Sequence, residues 1–250
     1  MNITTIYITR LKAIPFIVIG LIFSVNVISQ TSNVGTYSVL NIFYKANNKV
    51  TFWSELQTRS NNLYSDFYYT QYKGGMIYKL PNSDNSVFIG GGRYSTYSLP
   101  GNFTTPIKSD ELRLWEQLTL NNTYAHFKVE HRYRLEHRWI NNDYKTRLRY
   151  RLNPSWIINK CSIEPHALIA NVFDEIFLGN NNPHFETNRY YIGLGYVYSK
   201  LLTFQIGLLH QTDYSALGTE TGKDFIQTSI ILYTQHKMHK RDNTTPNLMD

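Results

Sequence analysis

Along the middle of the chain, charged residues fall on every second position. Lys128, Glu130, Arg132, Arg134, Glu136 and Arg138 alternate with Val129, His131, Tyr133, Leu135, His137 and Trp139. A second copy follows, with Lys145, Arg147, Arg149 and Arg151 alternating with Tyr144, Thr146, Leu148, Tyr150 and Leu152. Side chains on a strand point to opposite faces with a period of two. Each segment therefore has one charged face and one largely aromatic or aliphatic face. The same parity recurs elsewhere. On 110–121, Glu111, Arg113, Trp115, Gln117 and Thr119 oppose Leu112, Leu114, Leu118 and Leu120, with Glu116 an exception. On 187–199, Arg189, Tyr191, Gly193 and Gly195 oppose Tyr190, Ile192, Leu194, Tyr196 and Tyr198. On 201–214, Thr203, Gln205, Gly207 and Gln211 oppose Leu202, Phe204, Ile206 and Leu208.

Strand patterns run end to end: 36–46, 49–60, 64–80, 86–98, 110–121, 123–139, 143–158, 162–176, 187–199, 201–214 and 223–236. No segment keeps a 3.6-residue apolar repeat for three turns, so no helix is expected. Most segments reach the ~9–11 residues of a tilted membrane strand. Short connections are expected at 46–48, 81–85, 121–122, 159–160 and 199–200. Long or polar ones are expected near 60–62, 98–109, 179–187 and 215–223, with the Asn-Asn-Asp turn at 141–143 the one short member of this second set. Alternating short and long loops are a mark of outer-membrane barrels. Ordinary bacterial barrels close with even strand numbers. Eleven segments therefore predict either ten strands, with 36–46 as a plugging or periplasmic piece, or twelve if two strands are merged. Ten is the preferred count.

A soluble sandwich would bury its apolar faces and hydrate its charges, whereas a membrane barrel does the reverse. The predicted fold is therefore all-β, a single antiparallel transmembrane β-barrel of about 10–12 strands. Arg, Glu, Lys and Gln would point into its lumen. His131 and His137 then fall on the lipid face, where only an interfacial position suits them.

Composition refines this picture. The chain holds 20 Tyr, 13 Phe and 4 Trp. Rings with a polar tip suit the aromatic girdles of such barrels. Arg10 and Lys12 precede a largely apolar stretch from Ile14 to Ile28. That pattern reads as a signal peptide over 1–29 and implies export. The barrel is assigned to 30–238 and a polar tail to 239–250. Without residues 1–29, which carry two basic residues and no acidic ones, the formal charge of +7 becomes +5. No nucleic-acid fold signature accompanies that charge. The lone Cys161 excludes an internal disulfide and a Cys-rich zinc site.

The candidate site is a lumenal charge network of Glu111, Arg113, Glu130, Arg132, Arg134, Glu136, Arg138, Arg147, Arg149, Arg151 and Arg189. Inward Arg and Glu on adjacent strands can form bidentate pairs that fill a narrow barrel and hold its register. The same residues could instead attract an anion. For hydrolysis, His126, His166, His184 and His210 and the serines 162, 199 and 215 are the candidates, and no motif selects a set among them. Asp174 and Glu175 suggest either a calcium site or solvated loop acids. Gly74-Gly75 and Gly90-Gly91-Gly92 suggest a kink or bulge where a barrel strand bends rather than a phosphate loop. No catalytic residue, metal or cofactor is assigned.

Four stretches in order carry a resemblance: 110–117 (Asp-Glu-Leu-Arg-Leu-Trp-Glu-Gln), 132–138 (Arg-Tyr-Arg-Leu-Glu-His-Arg), 147–152 (Arg-Leu-Arg-Tyr-Arg-Leu) and 174–177 (Asp-Glu-Ile-Phe). Together they resemble a family of bacterial proteins of unknown function thought to be outer-membrane β-barrels, over roughly residues 36–236. The resemblance implies fold and location and brings no reaction. The expected role is a porin-like barrel of the Gram-negative cell envelope, structural or binding or passing a small anionic solute. Its partners would be the outer-membrane bilayer and an anionic small solute or lipid, with no nucleic acid. The alternatives are a membrane-embedded acyl-chain hydrolase and a soluble, lipocalin-like periplasmic binder.

Overall fold

In a computed structural model, which describes residues 34–99, 101–103 and 106–235, every regular element is a strand. The expected signal peptide (1–29) and polar tail (239–250) lie outside the described residues. The strands are β1 (Gly35–Lys45), β2 (Val50–Asn62), β3 (Ser65–Lys79), β4 (Ser86–Tyr97), β5 (Ile107–Tyr124) and β6 (Phe127–Ile140). They continue with β7 (Asp143–Ile157), β8 (Leu168–Gly179), β9 (Phe185–Ser199), β10 (Leu202–Tyr214) and β11 (Glu220–Gln235). Each strand pairs with its neighbours in sequence, and β1 meets β11 to close the barrel.

Closure corrects two expectations. The barrel has eleven strands rather than ten or twelve, and it is mixed rather than wholly antiparallel. An up-and-down chain with an odd strand count brings its first and last strands together pointing the same way. β1 and β11 accordingly pair in parallel, from Gly35 opposite Phe225 to Lys45 opposite Gln235. β1 is a wall strand and not a plug. Its alternation buries Tyr37, Asn41 and Phe43 on the interior side, as a wall position requires.

Connection lengths also differ from the expected alternation. Residues 63–64 form a two-residue turn where a long or polar connection was expected near 60–62, while 141–142 form the short turn expected at 141–143. Tyr64 (φ 52°), Asn141 (φ 47°) and Asn142 (φ 78°) take the left-handed conformation there, and such φ values match the twist of the strands they join. The expected short turn at 159–160 is instead the stretch 158–167, so β8 begins at Leu168 rather than near 162. Asn159 organises this loop: its Oδ1 accepts from Leu168 N at 2.7 Å, and its Nδ2 donates to His166 O at 3.0 Å. Ile163 packs against an apolar cluster inside the barrel.

The wall separates two chemistries. Its outer face exposes Leu56, Ile89, Leu112, Leu114, Leu148, Ile192, Leu194, Ile206 and Leu208, with Leu208 62% exposed. The polar exceptions on that face satisfy one another. His131 Nδ1 lies 2.9 Å from the Tyr150 hydroxyl, and His137 Nδ1 lies 2.7 Å from that of Tyr144. Glu116 approaches His137 Nε2 at 3.5 Å.

The interior is packed from both ends of the size scale. Phe43, Trp53, Phe88, Trp115, Ile169, Val197, Ile231 and Tyr233 form one apolar cluster. Tyr37, Phe173, Tyr191, Leu209 and Phe225 form another. Two of these rings lie on glycines. A Cβ at Gly75 or Gly90 would come within about 2.5 Å of the Phe88 ring, and one at Gly193 or Gly207 within about 2.6 Å of Tyr191. The glycine pair at 75 and 90 is in continuous register, so it is a seat for a ring and not the expected bulge. A bare backbone lets the ring lie flat on the wall and cover exposed peptide groups.

Candidate functional site in the barrel interior

Interior charge comes from the alternating faces of β5, β6 and β7, completed by β8 and β9. Ten of the eleven sequence-derived network residues are buried: Glu111, Arg113, Glu130, Arg132, Arg134, Glu136, Arg138, Arg147, Arg149 and Arg151. Arg189 is half-buried. Glu136 is wholly buried and receives Arg147 at 2.7 Å and Arg149 at 2.6 Å. Arg134 and Arg113 stand 3.8 and 3.9 Å from the same carboxylate. Glu111 receives Arg113 at 2.6 Å and also Arg138. Arg151 reaches Glu130 at 3.0 Å. Shared carboxylates of this kind let one buried anion neutralise several guanidinium groups through charge-assisted hydrogen bonds.

Arg189 sits apart from these ion pairs. It donates from Nε to Gln211 at 2.8 Å and stacks over Phe177, 4.7 Å from the ring centroid.

The network has members that the sequence reading missed. Glu175 is buried and binds Arg132 at 2.6 Å and Arg149 at 2.7 Å. Glu186 receives Arg138 at 3.1 Å and Arg147 at 3.2 Å. Parity was the available signal for Glu175, because it alternates with Phe173 and Phe177 on the inward face of β8. Asp174 points the other way, where Asn188 Nδ2 donates to it at 2.7 Å. Neighbours on a strand cannot converge on one ion, so the pair does not form the calcium site weighed from sequence. Arg59 and Lys73 were also missed. Arg59 stacks on Tyr37 and Tyr69 at 4.4 and 4.3 Å, and Lys73 pairs with Glu55 at 2.5 Å.

The histidines weighed for hydrolysis find partners other than serine. His126 Nδ1 is 2.8 Å from Lys160 O, and His166 Nδ1 is 2.7 Å from the Tyr196 hydroxyl. His184 lies near Gly179 O, and His210 pairs with Asp224 at 2.7 Å. Ser199 accepts from Leu201 N and Ser215 contacts Thr219. A nucleophile–base hydrogen bond, the minimum for acyl transfer, is not formed by these pairs.

Among the described residues, two chambers stand out inside the barrel. One, of about 400 Å³, is lined by Arg59, Lys73, Arg113, Arg132, Arg134, Arg138, Arg147, Arg149, Arg151 and Arg189. Glu55, Glu175, Glu186 and Asp213 are the acids at its surface. Adding Glu111, Glu130 and Glu136 behind them makes seven carboxylates against ten cations. Three positive charges are left over. The other chamber, of about 470 Å³, lies at the end where β1 finishes and holds Lys45, Lys49, Lys79 and Lys128. The larger apolar cluster stands between them, with Trp53 and Phe88 lining the first chamber and Phe43 and Ile157 the second. Several buried polar atoms on these walls have no hydrogen-bond partner, among them Arg132 Nε, Asn171 Oδ1, Tyr191 Oη and Lys128 Nζ.

With this geometry in place, comparison with known proteins adds kinship and no activity. A family described as "Protein of unknown function (DUF2490)" matches residues 34–221, which spans the barrel from β1 into β11. No curated protein matches the chain.

Proposed function

Because the chain belongs to the DUF2490 family of proteins of unknown function and folds as a closed β-barrel, we propose that it is an outer-membrane protein that holds a small anionic solute inside its barrel. One observation carries the membrane half of this reading. The wall exposes a continuous set of Leu and Ile side chains outside while burying Arg and Glu within. Water-soluble monomers rarely expose apolar patches beyond a few hundred Å², whereas lipid accepts that face without cost. The aromatic residues support it further, since Trp139 and Tyr144 near one rim and Trp156, Tyr196 and Tyr198 near the other suit bilayer interfaces.

The solute half rests on the excess of cations in the first chamber. Binding is favoured over passage because the apolar cluster interrupts the polar interior between the two chambers. An ion crossing it would shed most of its water, with Ser86 and Thr119 as the polar side chains common to both chambers.

Fractionation of the envelope combined with heat-modifiable gel mobility tests the membrane premise. The folded barrel should sediment with outer membrane and migrate differently before and after boiling. Recovery in the osmotic-shock fraction without detergent would instead favour the soluble binder. In planar bilayers, steady anion conductance that depends on Arg132, Arg134 and Arg149 would replace binding with passage.

A further inference from the structure

Deepening the anion-binding reading, on which it rests, we propose that the first chamber takes a small organic carboxylate with an apolar, flat body. Its carboxylate would meet Arg132 and its body would lie against Tyr191 and Leu209.

The chamber presents two unlike surfaces. Arg132 is buried and gives Nη2 to Glu175 at 2.6 Å, yet its Nε donor has no partner. Further round the wall, on β8, β9 and β10, Phe173 and Tyr191 are stacked with centroids 5.0 Å apart and planes 15° from parallel, and Leu209 packs with them. All four residues line the same chamber. Strand register places them in two neighbouring rows, two residues apart on β8. Arg132 is opposite Arg151, Arg151 opposite Glu175, and Phe173 opposite Tyr191, which is opposite Leu209.

The unpaired groups point to a ligand with both characters. A buried donor left without a partner is costly, and Arg132 Nε and the Tyr191 hydroxyl are two such groups among the residues that line this chamber. A carboxylate oxygen would satisfy the guanidinium with a charge-assisted bond. An inorganic anion would do this too, but it would make no use of the apolar surface of Tyr191 and Leu209. A neutral apolar molecule would use that wall and leave Arg132 unpaired. The chamber is mainly polar with one apolar side, and about 400 Å³ has room for an organic molecule of modest size.

Calorimetric titration of the full chain, folded in an uncharged detergent, compares four probes: benzoate, acetate, benzyl alcohol and inorganic phosphate. Benzoate should bind at least tenfold tighter than each of the other three. Arg132→Gln should weaken benzoate at least tenfold and leave benzyl alcohol unchanged. Leu209→Asn should weaken benzoate and leave acetate unchanged. Heat-modifiable mobility establishes that each variant is folded, and the wild-type panel decides alone if neither is. Equal binding of benzoate and acetate, or tighter phosphate, overturns the organic-carboxylate inference and leaves the anion reading standing. Benzyl alcohol matching benzoate overturns both. Absence of any binding also removes both, since no anion would then be held.

Discussion

Arg149 donates from Nη1 to Glu136 Oε1 at 2.6 Å, tying β7 to β6 inside the barrel. On the reverse of the same wall, Leu148 lies opposite Leu135, and both are exposed. One peptide step thus separates an enclosed ion pair from an aliphatic outer surface.

Glu136→Gln keeps the side-chain shape and removes the charge that Arg147 and Arg149 share. Breaking a buried pair by removing one partner costs about 3–5 kcal/mol. The expected result is a lower urea midpoint, followed by the fraction of heat-modifiable folded band. A loss below about 1 kcal/mol, the range of solvated pairs, would mean that the network is wet.

Leu208→Arg puts a charge at the most exposed of the aliphatic positions on β10. In a bilayer this should cost about 2–4 kcal/mol at midplane depth. On a water-facing surface it should change stability by no more than about 0.5 kcal/mol. Folding titrations in phospholipid vesicles distinguish the two, and a near-neutral result would count against the membrane reading.

The seam between β1 and β11 is open to chemical cross-linking. Thr228 Oγ1 and Ser38 Oγ are 3.5 Å apart across it. With Cys161→Ser as background, Ser38→Cys combined with Thr228→Cys should form a disulfide in oxidant, detected as a mobility shift reversed by reductant. A ten-stranded closure of β2 against β11 would leave both thiols free.

Gly207→Ala should destabilise the barrel by about 1–3 kcal/mol through overpacking. Its Cβ would fall 2.4 Å from Ile192 O and 2.6 Å from the Tyr191 ring. Gly195→Ala, whose Cβ would meet the flexible Gln205 side chain at 3.3 Å and Phe204 O at an ordinary 3.7 Å, is the control and should change little. Thermal melts of the two variants side by side test the ring-on-glycine packing.

Much of this fold was legible before any coordinates. The strand segments 49–60, 86–98 and 143–158 match β2, β4 and β7 to within two residues. The inward set on β6 and β7 followed from parity alone. The misreadings share one cause. Strand count, the parallel seam and the length of the 158–167 loop depend on which strand meets which, and local alternation is silent about that. The pairing of Asp174 with Glu175 as loop acids failed for a related reason. Their adjacency in sequence suggested a common environment, while the pleat sends one inward to Arg149 and the other outward to Asn188.

A two-residue period is imposed by backbone sterics within a few peptide units, so the primary structure alone assigned each side chain on these strands to a charged or an apolar face. Closure, by contrast, arises between residues nearly two hundred positions apart, as Gly35 meets Phe225. The register of neighbouring strands brings Glu175 on β8 to Arg132 and Arg149 on β6 and β7 and sets Tyr191 on Gly207 of β10, and closure then encloses a cation-rich chamber. Those contacts depend on how separate strands are aligned, which no single stretch of sequence carries.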